Sequence, residues 1–114
     1  MTRVFKVLPA AEWEAACTRG QFGGAAVDLA DGFILLSAAG QVAETLRRHF
    51  AGQAGLVLVA FDADALGPNL KWEPSRGGAL FPHLYGPLPT ASASGVRPIP
   101  LQADGAFDIE RLEL

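Results

Sequence analysis

The sequence predicts an α+β domain, and three observations carry that prediction. Leu56–Phe61, LVLVAF, is an apolar run without a single charge, of strand rather than helix length. Two segments, near Ala10–Thr18 and Ala38–Phe50, carry apolar residues at helical spacing. The chain also holds 13 glycines and 8 prolines in 114 residues, which favours many loops and few helices. A chain of this length fits one domain, residues 1–114.

Taken in order, Val4–Leu8 is a short first strand, and Pro9 suits the entry to a helix. The helix Ala10–Thr18 has Glu12 near its positive end. Trp13, Ala16 and Cys17 share one face, so Cys17 is expected to be a small buried hydrophobe. Gly20 stops the helix. Gln21–Gly32 shows little periodicity and is expected to be a loop, a candidate pocket flap. Its Gly23-Gly24 pair lacks the Lys-Ser/Thr that a phosphate loop needs. Phe33–Ser37 is a strand with Phe33, Leu35 and Ser37 on one face and burial expected on both. Ser37 is then expected to cap the helix Ala38–Phe50, which turns Val42 and Leu46 inward. Arg47, Arg48 and His49 in its last turn complement the helix dipole. Leu56–Phe61 is the expected central strand. Asp62 and Asp64 open a short helical turn as capping acids rather than metal ligands, since no calcium-loop spacing follows. Leu70–Glu73 is extended. Leu88–Gly95 is a small-residue loop, Val96–Leu101 an edge strand confined there by Pro98 and Pro100, and Asp104-Gly105 a turn. The charged tail to Leu114 is expected as a short strand or frayed end.

Composition excludes some classes of function. Hydrophobic residues make up 50% of the chain, enough for a core at this size. No run approaches the roughly 18–20 apolar residues of a membrane span, and the first residues lack a signal-peptide core. One cysteine, Cys17, allows no internal disulfide, and the default location is cytoplasmic. A net charge of −3 argues against broad nucleic-acid binding. Neither histidine belongs to a zinc-type spacing, so no metal is expected.

Polar and aromatic chemistry concentrates in Trp72–Leu88, WEPSRGGALFPHLYGPL. Pro74 pushes Glu73 into an extended conformation, and Gly77-Gly78 permits a tight turn. Alternation then puts Phe81, His83 and Tyr85 on one face and Leu80 and Leu84 on the other. Pro82 places that strand at an edge or in a bulge. Glu73 is a candidate general base or ribose contact, or the partner of Lys71 or Arg76. Arg76 forks toward a phosphate, or closes a surface turn with a salt bridge. His83 is a candidate acid–base group, or a core histidine satisfied by backbone. Tyr85 stacks on a ligand ring or packs with its hydroxyl satisfied.

Three segments carry a resemblance: KVLPAAEWEAA, DLADGFILLSAAGQVAETLRRHFAGQ and WEPSRGGALFPHLYGPL. Together they are similar to the domain-of-unknown-function 952 family over roughly Val4 to Pro100. That resemblance implies an ADP-ribosyltransferase-like fold: two small, mostly antiparallel sheets around a cleft, with two main helices, and NAD or a related nucleotide as the ligand. Members commonly read DGFIHLS where this chain reads DGFILLS. In that fold a polar residue on this strand holds the NAD ribose region. Leu35 has no hydrogen-bonding group for the task, while Ser37 on the same face is retained.

Two classes of function follow as expectations. One is a non-catalytic small-ligand domain with a nucleotide- or NAD-type pocket, which Leu35 favours. The other is an NAD-utilising enzyme catalysing ADP-ribosyl transfer or NAD glycohydrolysis. The expected ligand contacts are Ser37, Glu73, Arg76, His83 and Tyr85, bordering one cleft with Phe33 and Leu35 beneath.

Overall fold

The computed structural model describes residues 2–112 and 114, with Val27 and Arg76 described by their backbone alone. Its strands are β1 (Arg3–Pro9), β2 (Gln21–Phe22), β3 (Ile34–Leu35), β4 (Ser37–Ala38), β5 (Leu56–Asp62), β6 (Leu70–Pro74), β7 (Leu80–Leu84), β8 (Leu88–Pro89) and β9 (Ala93–Pro98). Its α-helices are α1 (Ala10–Arg19), α2 (Ala26–Asp31) and α3 (Val42–His49), the last preceded by a 3₁₀ turn at Ala39–Gln41. The result is a mixed α+β architecture of small antiparallel sheets.

The main sheet has the order β4-β1-β5-β9, and the second has the order β3-β7-β6. The main sheet is covered on both sides, which is why its inner strands read as continuous apolar runs. Val4 and Leu8 of β1 and Val59 and Phe61 of β5 pack with Trp13, Ala16, Ile34, Leu36 and Leu84 in one core. Phe5 and Val7 with Leu56, Leu58 and Ala60 pack on the other face against Val42 and Leu46 of α3, together with Ile99 and Leu112. β5 is an inner strand, as its sequence predicts, and Leu56, Leu58, Val59, Ala60 and Phe61 are all buried.

Several sequence expectations need correction. The strand expected at Phe33–Ser37 is split: β3 pairs with β7 in the second sheet, and β4 pairs with β1 in the main one. Leu36, completely buried, is the crossing point. Gln21–Gly32 is not a loop, since it contains β2 and the one-and-a-half turns of α2, a third helix beyond the expected two. Leu88–Gly95 holds β8, a 3₁₀ turn and the start of β9. The tail is neither strand nor frayed at Ile109–Leu112, a 3₁₀ turn that buries Leu112.

Cys17 is exposed, because the buried stripe of α1 is narrow and only Trp13 and Ala16 enter the core. Ser37 does not cap the following helix. Its hydroxyl is taken by Thr45, and Gln41 Oε1 accepts the Ala38 N–H instead, at 2.9 Å.

Pro82 lies in β7, the middle strand of its sheet rather than an edge. The arrangement survives because β3 ends at Leu35. The Pro82 carbonyl accepts the Leu36 N–H at 2.9 Å, and the proline nitrogen faces that same side, where no ladder continues. The β6–β7 turn is closed by Ser75 N–H donating to Ala79 O at 2.9 Å. Gly77 and Gly78 within it take φ of 71° and 87°, a region that favours glycine. Asp62 caps the 3₁₀ turn at Ala63–Asn69, accepting the Asp64 N–H at 3.1 Å as the sequence suggests.

Candidate functional site: a cleft beside a buried ion pair

β1 pairs with β4 only through Val4 and Phe5, so among the described residues its outer edge from Lys6 to Pro9 has no strand neighbour. A cavity of about 510 Å³ opens there. Phe33 and Leu35 form one wall, Ser37 and Thr45 its inner end, and His49 and Phe50 at the end of α3 border it. Ser37 and Thr45 are buried and share a 2.8 Å hydroxyl–hydroxyl hydrogen bond.

Lys6 and Asp28 also line this cleft, and both are buried. The Lys6 ammonium donates to Asp28 Oδ2 at 3.1 Å and to the Leu35 carbonyl at 3.1 Å. The Asp28 carboxylate in turn accepts the Ala25 N–H at 2.9 Å and the Leu35 N–H at 3.2 Å. One carboxylate thus caps the start of α2 and holds the first residues of β3. Burial pushes the Lys6 ammonium below the usual lysine range, and the nearby Asp28 carboxylate opposes that shift. Gly24 allows the approach. It has φ of 112°, and a Cβ there would stand 3.1 Å from the Asp28 Cβ. Local spacing singles out neither Lys6 nor Asp28. The available signal is a lysine at the centre of the strand VFKVL, where a buried charge demands a partner.

The sequence-derived candidates divide into two groups. Ser37 lines the cleft with Phe33 and Leu35. Glu73, His83 and Tyr85 form a separate cluster on the second sheet. β7 and β6 place His83 opposite Lys71 and Phe81 opposite Glu73, all on one face. Glu73 Oε1 meets His83 Nδ1 at 2.9 Å and accepts the Tyr85 hydroxyl at 2.5 Å. Its partners are therefore His83 and Tyr85. The Phe33 ring stacks on the His83 imidazole, with centroids 4.0 Å apart and planes at 22°. Phe33 thus lies over His83, on the cleft side of the cluster, rather than beneath it. The Arg76 side chain lies outside the described residues. Among the described residues, no group of three His, Cys, Asp or Glu side chains could hold a metal ion, and no helix is long and apolar enough to cross a membrane.

The hydrogen bonds from Tyr85 and then His83 hold the Glu73 carboxyl below its ordinary range. The same carboxylate pushes the Tyr85 phenol above its ordinary value of 10.0. Tyr85 is the sole tyrosine of the chain, so an ultraviolet titration reads it alone. Its ionisation is expected above pH 10 in the wild type and back near the ordinary value in Glu73→Gln. As the folded-state value is raised, the unfolded chain loses this proton first. The contribution to stability is therefore complete below pH 10 and lost as pH rises through the folded-state value. Identical titration curves for the two proteins would refute the pairing.

One of the comparisons with known proteins gives a family. The family model described as "Protein of unknown function (DUF952)" matches residues 7–96. The chain belongs to this family. The match takes in α1, the cleft and the Glu73–His83–Tyr85 cluster, so every residue of the candidate site except Lys6 and Phe5 falls inside the DUF952 region. The crystal structure of protein CC0527 from Caulobacter crescentus is similar at 52% identity, covering 99% of this chain and 100% of that one, with a TM-score of 0.93. A crystal structure of a double mutant of CC0527 matches at 50% identity over 99% and 100% of the two chains, with a TM-score of 0.93. The solution structure of CC0527 matches at 52% identity over 98% and 97%, with a TM-score of 0.87. No curated protein matches the chain.

Proposed function

We propose that this DUF952 protein is a small-ligand-binding domain with a non-catalytic nucleotide- or NAD-type pocket on an ADP-ribosyltransferase-like fold. Two small antiparallel sheets beside a cleft, joined by the β3–β4 crossing, support the fold assignment. The observation that carries the functional reading is the cleft wall itself. Leu35, at the position where the family resemblance expects a histidine, presents only hydrocarbon to the cavity. His83, the best acid–base candidate, is stacked under the Phe33 ring, and its Glu73 partner does not line the cleft. Cleavage of a glycosidic bond needs polar groups already aimed at the charge developing on the ribose, and this wall offers none.

Charge narrows the part of the ligand that enters. Glu12, Asp28 and Asp31 line the cleft, and the Lys6 ammonium is already committed to Asp28. The uncharged nucleoside portion or the cationic nicotinamide ring is the part that fits, with phosphates held toward solvent. The reading includes a cytoplasmic location, with the free thiol of Cys17 as its supporting feature.

The test is a thermal-shift and NMR panel of NAD, ADP-ribose and nicotinamide, followed by incubation of wild type and Leu35→His with NAD. Binding without nicotinamide release is expected for the wild type. Losing one positioned donor costs roughly 100–1000-fold in rate, so release confined to Leu35→His would mark a decayed enzyme. Release by the wild type would overturn the reading in favour of an NAD-utilising enzyme.

A further inference from the structure

We infer that Lys6 is a carbonyl-capturing amine: a small uncharged aldehyde entering the cleft forms a Schiff base on its Nζ, and the Asp28 carboxylate first carries the proton and then pairs with the product. The inference goes beyond a noncovalent nucleotide pocket. It depends on the cleft admitting a small molecule and not on a nucleotide being its occupant.

Two acceptor groups meet at Lys6 Nζ. The Asp28 carboxylate has Oδ2 at 3.1 Å and Oδ1 at 3.4 Å, and the Leu35 carbonyl oxygen lies at 3.1 Å. The three hydrogens of an ammonium diverge tetrahedrally, and the oxygens of one carboxylate lie too close together to take two of them. One direction at Nζ therefore has no hydrogen-bond acceptor among the described residues. Lys6, Asp28 and Leu35 all line the cavity of about 510 Å³, so these residues border space that a small molecule can enter. The Lys6 side chain is only 8% exposed, with the Phe22 ring 5.8 Å from Nζ. Burial holds its ammonium below the usual lysine range, against the opposing pull of Asp28. That enlarges the share of free amine, which is the nucleophilic form.

The step balances with the aldehyde as the single added reactant. The ammonium passes one proton to the Asp28 carboxylate, and the freed lone pair attacks the aldehyde carbon to form a C–N bond. The former carbonyl oxygen takes that proton from Asp28, receives a second one from nitrogen by the same route, and leaves as water. The product is an iminium, in which nitrogen keeps one hydrogen and the positive charge. The buried ion pair with Asp28 is thereby preserved. Acylation would instead discharge the nitrogen and strand the carboxylate in the interior, so the site selects aldehydes over esters and activated acids. A nitrogen this enclosed also favours the unhindered carbon of an aldehyde over that of a ketone. Glu12 and Asp31 line the same cleft as Asp28 and disfavour an anionic ligand, while Phe33 and Leu35 offer hydrocarbon to its body.

The experiment treats the full chain with benzaldehyde as the probe and with sodium cyanoborohydride, which reduces the iminium to a stable secondary amine. Peptide mass mapping then locates the adducts over time. The sequence contains two lysines, so the exposed Lys71 serves as an internal reference. In the folded protein Lys6 is expected to be labelled at least about tenfold faster than Lys71, and Lys71→Arg is expected to keep the Lys6 adduct. In urea, where the cleft is gone, the two lysines are expected to react at similar rates. If Lys6 is labelled no faster than Lys71 in the folded protein, the inference is overturned. Lys6 is then an ion-pair partner alone, and the noncovalent pocket, which the nucleotide panel tests, is untouched. A preference for Lys6 that persists in urea would overturn it as well, since the cleft would not be its cause.

Discussion

Lys6→Met is expected to lower the free energy of unfolding by about 3–5 kcal/mol, because it strands the Asp28 carboxylate in the interior. Asp28 is 3% exposed and loses the Lys6 ammonium 3.1 Å away. For a domain of this size the loss corresponds to a fall in melting temperature of roughly 10–25 °C. The double variant Lys6→Met/Asp28→Leu is expected to recover only part of the loss. Although it removes the unpaired charge, the Ala25 and Leu35 N–H groups then lose their acceptor, at about 1–3 kcal/mol for each amide that stays buried. Urea unfolding of the two single variants and the double variant closes the cycle. A cost below about 1 kcal/mol for Lys6→Met would show that Asp28 is solvated and that the cleft is wetter than described.

Phe61→Ala is expected to cost about 3–5 kcal/mol. Phe61 is completely buried on an inner strand and meets the Trp13 ring edge-on at 6.3 Å, so truncation leaves a cavity between the main sheet and α1 that neither rigid wall can close. Trp72, on the outermost strand of the second sheet, is 41% exposed. Trp72→Ala is therefore expected to stay within about 1 kcal/mol of wild type. The contrast is informative because sequence alone ranks both as large aromatics in strands. Equal losses in denaturant titrations would contradict the layered core described above.

The readable parts of this sequence are those whose burial is set by their own residues. LVLVAF is sandwiched between two cores, so both faces are apolar and the run announces itself. The α1 segment carries its stop signal in Gly20. The unreadable parts depend on partners far along the chain. α2 lacks an amphipathic repeat, and its first turn is secured by Asp28, whose own partner Lys6 lies 22 positions away. Pro82 is tolerated in a middle strand only because the neighbouring strand leaves for the other sheet at Leu36. Within the site, alternation correctly grouped His83 with Tyr85 on one face, and Glu73 joins them across the hairpin. That Ser37 lines the cleft while Glu73, His83 and Tyr85 do not was not legible, nor was the position of Phe33 over the imidazole. Both depend on how the bend after α2 is aimed, which no local pattern encodes.

The truncated pairing between β1 and β4 also bears on how this chain avoids sticking to itself. An unclaimed strand edge is a template for a neighbouring molecule, and apolar strands such as β1 are the ones most prone to recruit one. Here the vacant stretch lines a recess that Glu12, Asp31 and His49 also line, and charged side chains beside an edge disfavour pairing with a neighbouring strand. The outward edges are guarded by other means: β9 carries Pro98, and β6 carries Lys71 and Pro74. The backbone groups that could nucleate aggregation are thus set inside a recess, where a neighbouring strand meets side chains before it meets the edge.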